Sequence, residues 1–303
     1  MAHIVIHEVG PRDGLQMERQ VVPTDTKEDW IRRAMESGVD IVQVGSFVHP
    51  VKVPQMADTD ELIRRLIGNK SSSVILAGLA LNERGVERGL ECGVEMLCLG
   101  ASASETHSLK NTGMTSMEAT RRIIGAAEQA MAAGKKVQVS VQSAFGCGFE
   151  GPIPEERVLE MVGAYLEAGL FNISLADPAG HAYPAQVERL FAAVFDLDPN
   201  IECTCHFHNT YGLGMANIMA ALRVGVSSFE TSFAGLGGCP FTKVAAGNVA
   251  TEDFVNALQL QGLRKDVDLD RLISVAGNVA DYFEREMPGC VYKTGSIASK
   301  VAA

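Results

Sequence analysis

The sequence predicts an α/β fold, a TIM (β/α)8 barrel of eight parallel strands with a short C-terminal helical tail. The first observation is a repeated junction in which a helical stretch ends at Gly and a β-branched run begins within two residues. It occurs in SGVDIVQVG (37–45), CGVEMLCLG (92–100), AGKKVQVSV (133–141), AGLFNISLA (168–176) and VGVSSFETS (224–232). Glycine suits the left-handed residue that closes a helix, and continuous apolar runs suit parallel strands covered on both faces. The second observation is a count. HIVIHEV (3–9), SVILAGLA (73–80) and IECTCHFH (201–208) complete eight strands, and eight βα units in 303 residues fit a barrel better than a doubly wound sheet.

Between the strands, amphipathic helices are expected near 26–37, 57–68, 83–92, 116–133, 155–168, 185–195 and 212–224, with another near 251–261 and the tail from about Leu269. No linker or low-complexity segment breaks the series, so residues 1–303 are expected to form a single domain. At 47% hydrophobic and 21% charged, the composition is that of a soluble globular protein with enough chain for a large core. No run approaches the roughly 18 apolar residues of a membrane span, and MAHIVIHEVG reads as a strand rather than a signal peptide. The expected location is the cytoplasm, where seven scattered cysteines stay reduced. A net charge of −11 argues against nucleic-acid or membrane partners, leaving a small-molecule ligand in a local pocket.

In such a barrel the residues to inspect lie where the strands run out. The first strand ends in HEVGPRDGLQ (7–16), which delivers Glu8, Arg12, Asp13 and Gln16 in a turn built on Gly10, Pro11 and Gly14. A solvated turn is the plain alternative. The second ends with Gln43 at the rim, a neutral group able to orient a substrate by hydrogen bonds or to pair with a polar neighbour. The fourth leads into GASASETHSLKNTGMT (100–115), read as a loop in which Lys110 or His107 meets an anionic group or simply faces solvent. The glycine-rich QSAFGCGFEG (142–151) follows the fifth strand, and SLADPAG (174–180) sets Asp177 at the rim of the sixth.

The seventh strand, ECTCHFHNTYG (202–212), is the most informative. Cys-X-Cys-His-X-His invites a four-ligand zinc site, yet a strand turns alternate residues to opposite faces. Cys203 and Cys205 share one face and His206 and His208 the other, so the cysteines are expected between sheet and helices and the histidines in the barrel mouth. With Asp13 the histidines form a two-His, one-carboxylate set that admits Mg²⁺, Mn²⁺, Fe²⁺, Co²⁺ or Zn²⁺. After the eighth strand, SFAGLGGCPFTKVAAGNVATED (232–253) surrounds Cys239 with glycines that permit a close backbone approach to a ligand. It reads as a loop covering a site, against the alternative of a flexible connector.

EVGPRDGLQ (8–16), SFVHPVKVPQMAD (46–58), HFHNTYGLGMAN (206–217) and AGLGGCPFTKVAAGNVATED (234–253) resemble the 3-hydroxy-3-methylglutaryl-CoA lyase family, within the metal-dependent barrels that include isopropylmalate and homocitrate synthases. The resemblance spans essentially the whole chain, and Gly-Gly-Cys-Pro is the lyase mark. It implies retro-Claisen cleavage of a tertiary 3-hydroxyacyl-CoA to acetyl-CoA and a keto acid, with Mg²⁺ or Mn²⁺ on Asp13, His206, His208 and Asn248. Arg12 would meet charge on the thioester oxygen, Asp13 or a nearby base would take the hydroxyl proton, and Cys239 would manage the proton of the enolate. Gln16, Gln43, Lys110 and Asp177 would face the substrate, Glu252 would support the loop or cap the following helix, and a homodimer is implied.

The chain departs from the family pattern at Gln43, where the lyase carries Glu, at Val44-Gly45-Ser46 for Thr-Thr-Ser, at Asn209 for Asp, and at Pro178 for Thr. These departures bear on the acyl group more than on the reaction class. The alternatives are a related aldolase or 2-oxo-acid condensing enzyme, and a non-catalytic metal- or acyl-CoA-binding relative.

Overall fold

The computed structural model describes residues 3–70, 73–238 and 246–297. All eight expected strands form: β1 (Val5–Glu8), β2 (Ile41–Ser46), β3 (Ile75–Leu79), β4 (Met96–Ser102), β5 (Lys136–Gln142), β6 (Asn172–Asp177), β7 (Glu202–Phe207) and β8 (Ser228–Thr231). They are parallel and close in chain order, with Val5 of β1 registered on Ser228 of β8.

Helices α1 (Thr24–Glu36), α2 (Thr59–Ile67) and α3 (Glu83–Cys92) return the chain between the first four strands. Gly93, at φ 87°, closes α3 in the left-handed conformation that a side chain would strain. After β4 comes α4 (Glu105–Thr112), in the stretch read as a loop. Ser104 caps it by accepting from the His107 amide (3.1 Å), and Gly113, at φ 73°, ends it. The series continues with α5 (Ser116–Ala132), α6 (Glu155–Glu167), α7 (Pro184–Leu197), α8 (Gly214–Arg223) and α9 (Thr251–Leu260), followed by α10 (Leu269–Phe283) and α11 (Val291–Thr294).

Strand alternation divides the buried residues into two layers. Ile6, Val42, Leu76, Leu97, Cys203 and Cys205 face outward into the main core between strands and helices. There the cysteines pack as small apolar groups, and burial pushes the Cys203 thiol up to about 12. Inside the barrel a smaller cluster of Ile41, Ala77, Met96 and Cys98 forms. A third cluster ties the tail to the site. Trp30 of α1 meets Phe233 and Tyr282 at ring-centroid distances of 6.2 and 5.4 Å, in the same region as Leu15, Leu236 and Val275. The tail helix therefore packs beneath the roots of both the first-strand turn and the glycine loop.

Candidate active site

Past Glu8 the chain makes one wide helical turn over Gly10–Gly14, in which the Asp13 amide reaches back to the Val9 carbonyl (2.7 Å). That turn sets Arg12 and Asp13 over the barrel mouth. Glu8 is fully buried and anchors the turn from behind. Its Oε1 accepts from the Gly10 and Phe233 amides (2.7 and 2.9 Å) and its Oε2 from Thr251 Oγ1 (2.7 Å). Residue 10 must be Gly, because a Cβ there would fall 2.7 Å from Glu8 Oε1.

From β7, His206 and His208 come to the same point. His208 Nε2 lies 3.3 Å and His206 Nε2 3.8 Å from Asp13 Oδ2, and the two imidazole nitrogens are 3.0 Å apart. One ligand atom from each of the three residues falls within 4.8 Å of the others. Asn248 Nδ2 donates to Asp13 Oδ2 (2.7 Å), while Asn248 Oδ1 is buried without a protein partner. Two imidazoles, a carboxylate and an orphaned amide oxygen fit a divalent cation.

The electrostatics agree with that fit. Burial pulls the Asp13 carboxyl upward, but the Arg12 charge and the hydrogen bond with His208 outweigh it and hold the group well below the usual carboxylate range. Burial opposes a charged His206, yet its hydrogen bond to Glu230 and the charge of Asp13 prevail and raise it. The space between these carboxylates favours positive charge, so a divalent ion can take the proton's place there. Glu230 of β8 holds His206 Nδ1 at 2.7 Å, which turns Nε2 toward Asp13. Beyond it, His7 is fully buried with Nδ1 3.7 Å from Glu230, and burial lowers it to about 4, so it is neutral. Arg12 donates its Nε to Gln43 Oε1 and a terminal nitrogen to Asp13 Oδ1.

These groups form one side of a cavity of about 470 Å³. Val48, Val53, Leu79 and Leu81 make an apolar wall, and Gln138, Ser140, Gln142 and Ser174 a neutral polar one. Gln16 and Gln43 line it, and Gln16 Nε2 lies 3.5 Å from Asp13 Oδ1.

Two expected substrate contacts are placed elsewhere. Lys110 is carried away by the turn of α4, and its Nζ sits 3.7 Å from the centre of the Phe149 ring, while His107 and Asn111 of that helix line the cavity. Asp177 is fully buried and spends both oxygens on the His181 and Ala182 amides (3.0 and 2.8 Å), leaving Pro178 and Ala179 at the cavity. Glu252, in the first turn of α9, accepts from the Ala234 amide (3.1 Å) and so holds the segment entering the glycine loop. Cys239 lies outside the described residues.

Sequence reasoning missed Glu230 and the polar wall. The one available signal for Glu230 was a lone acid inside the buried run VSSFETS. Its partner follows from the register, which pairs it with His206.

The chain matches the HMGL-like family model over residues 3–279. It is 35% identical over 285 residues to a hydroxymethylglutaryl-CoA lyase of Bacillus subtilis, covering 94% of this chain and 95% of that protein. It is 34% identical over 311 residues to the (R)-citramalyl-CoA lyase of Chloroflexus aurantiacus, covering 100% and 98%. The solved structure of an HMG-CoA lyase from Acinetobacter baumannii, in complex with coenzyme A and 3-methylmalate, superposes with a TM-score of 0.91 at 38% identity, covering 97% of this chain and 96% of that one.

Proposed function

From the premise that this chain belongs to the HMGL-like family, we infer that it is a divalent-metal-dependent carbon–carbon lyase, cleaving 3-hydroxy-3-methylglutaryl-CoA or a close 3-hydroxyacyl-CoA to acetyl-CoA and a keto acid. The observation that carries this reading is the convergence of Asp13, His206 and His208 at the barrel mouth with Arg12 beside them. Mg²⁺ or Mn²⁺ is our choice of ion, since the Asp13 carboxylate and the Asn248 amide offer hard oxygens. When bound, the ion acidifies a substrate hydroxyl and stabilises negative charge on oxygen.

The residues then divide the work. Asp13, kept ionised by Arg12, stays a charged ligand, and as a weak base it accepts the hydroxyl proton only from an alcohol made acidic at this site. As the C2–C3 bond breaks, its electron pair moves onto the thioester, where the permanently charged Arg12 can meet the developing oxyanion. Gln43 holds the Arg12 Nε and fixes the guanidinium's direction. We assign return of a proton to C2 to Cys239, on the family resemblance, since a free thiol, with an ordinary pKa of about 8.5, suits a donor near neutrality.

The six cysteines among the described residues are free thiols, which supports the cytoplasm as location. No helix of the described residues is long and apolar enough to cross a membrane. The homodimer rests on family resemblance.

The test is acetyl-CoA release from hydroxymethylglutaryl-CoA by purified protein, with Mg²⁺ or Mn²⁺ and then with chelator. Metal-dependent turnover of roughly 1 s⁻¹ or faster is expected. Absence of release from this substrate, from citramalyl-CoA and from longer-chain 3-hydroxyglutaryl-CoAs, by protein that binds the ion, would overturn the reading.

A further inference from the structure

His7 stands where a barrel interior ordinarily carries a bulky branched side chain. Its neighbours along β1 show the alternation: Val5 packs on the inner cluster and Ile6 in the outer core, so His7 faces inward, one layer above Val5. A Val or Ile would fill that place at no polar cost. The imidazole is fully buried, and neither of its ring nitrogens has a hydrogen-bond partner among the described residues. Leaving a buried polar group unpaired costs about 1–3 kcal/mol, so filling space is a poor account of this histidine.

The strand register supplies a better one. β8 lies between β1 and β7, with Glu230 paired to His7 on one side and to His206 on the other. The three side chains therefore form one rung across adjacent strands, ending on a residue of the metal-binding set. Glu230 spends Oε2 on His206 Nδ1 (2.7 Å), and its Oε1 faces His7 Nδ1 at 3.7 Å.

That contact decides the place of a proton. Burial keeps His7 neutral, and a neutral imidazole carries one N–H, on Nδ1 or on Nε2. With the proton on Nε2, the Nδ1 lone pair would face the Glu230 carboxylate, and two negative ends would meet in a low-dielectric interior. With the proton on Nδ1, an N–H dipole faces the carboxylate instead, and closing the 3.7 Å to about 3 Å makes a hydrogen bond. One donor on each oxygen then fixes the plane of the carboxylate. The group that orients a metal-ligating imidazole is thereby oriented itself.

We propose that His7 is a positioning residue of the metal site: it carries its proton on Nδ1, donates it to Glu230 Oε1 and so fixes the carboxylate that aims His206. This rests on the metal-dependent lyase reading and deepens its site by one further residue.

The experiment has two parts. The first is a long-range nitrogen–proton correlation spectrum of the protein with nitrogen-labelled histidine, before and after addition of Mg²⁺, with His7 assigned by the loss of its signals in a variant. His7 is expected as the neutral Nδ1–H tautomer in both states. An Nε2–H tautomer or a charged ring overturns the proposal. The second is titration of Mg²⁺ and Mn²⁺ into the wild type, His7→Leu and His7→Asn. His7→Leu, which keeps the volume and removes the donor, should weaken the ion by about three- to tenfold, less than the loss of a direct partner of the ligand. His7→Asn, whose amide can stand where the Nδ1–H stood, should recover most of that loss. Affinity unchanged in His7→Leu overturns the proposal, and equal loss in both variants overturns it by assigning His7 to packing. The wild-type spectrum decides even if one variant does not fold. Neither part reads acetyl-CoA release, on which the lyase reading turns, so the two fail separately.

Discussion

The two halves of the barrel mouth are built on different principles. On the β7–β8–β1 side, charged groups lock one another. Arg12, Asp13, His208, His206, Glu230 and Asn248 form a continuous set of hydrogen bonds and close polar contacts, braced from behind by Glu8 and Thr251. On the β4–β6 side, the strand residues that line the cavity are uncharged, and Ser174 Oγ has no hydrogen-bond partner among the described residues. Buried charges cost too much to leave unpaired, so the first half is pre-organised before any substrate arrives. The second leaves its hydrogen-bonding capacity for the ligand. On the proposed function, the first half would carry the reaction and the second would meet the acyl group.

That contrast can be broken at its strong side first. His208→Ala removes a ligand atom and should lower turnover by more than the roughly 100-fold that bounds the loss of an outer hydrogen bond, with metal titration showing the lost affinity directly. Glu230→Gln keeps the shape but weakens the hold on His206 Nδ1, and should reduce metal affinity by about 10- to 100-fold. A metal titration of this variant that overlays the wild type would remove Glu230 from the site.

Asp177→Ala tests a purely architectural role at the same rim. Stranding the buried Ala182 amide and the half-buried His181 amide should cost about 2 kcal/mol of stability, seen in a thermal melt, while metal affinity stays near wild type. Gln43→Glu places a carboxylate against Arg12, and the added countercharge should cost roughly tenfold in kcat/KM as the guanidinium's hold on the oxyanion weakens. A gain in kcat/KM would show instead that the missing charge was a handicap. The smallest effect is expected at Lys110→Ala, where a surface cation over Phe149 is lost, worth about 1 kcal/mol or less in stability. A tenfold rise in KM there would return Lys110 to the substrate side.

The legibility of the site follows the same division. Asp13, His206 and His208 could be read because strand alternation and the end-of-strand rule are local, and both act on consecutive residues. Lys110 and Asp177 sit in equally promising sequence, yet they depend on events that position along the chain does not reveal. For Lys110 that event is the winding of α4, signalled by Ser104 and Gly113 at its two ends. For Asp177 it is the fold-back of 178–182, which presents two amides to its carboxylate.

By itself, the sequence determined the number of the strands, the outward facing of Cys203 and Cys205, and the placing of Asp13, His206 and His208 at strand ends, since each follows from spacing within its own segment. Only the tertiary structure decided that Glu230 faces His206, that Gln43 holds Arg12, and that Cys98, Ser140 and Ser174 border one cavity. Those neighbours come from different strands, and their meeting is set by the stagger and closure of the barrel, a property of all eight strands together.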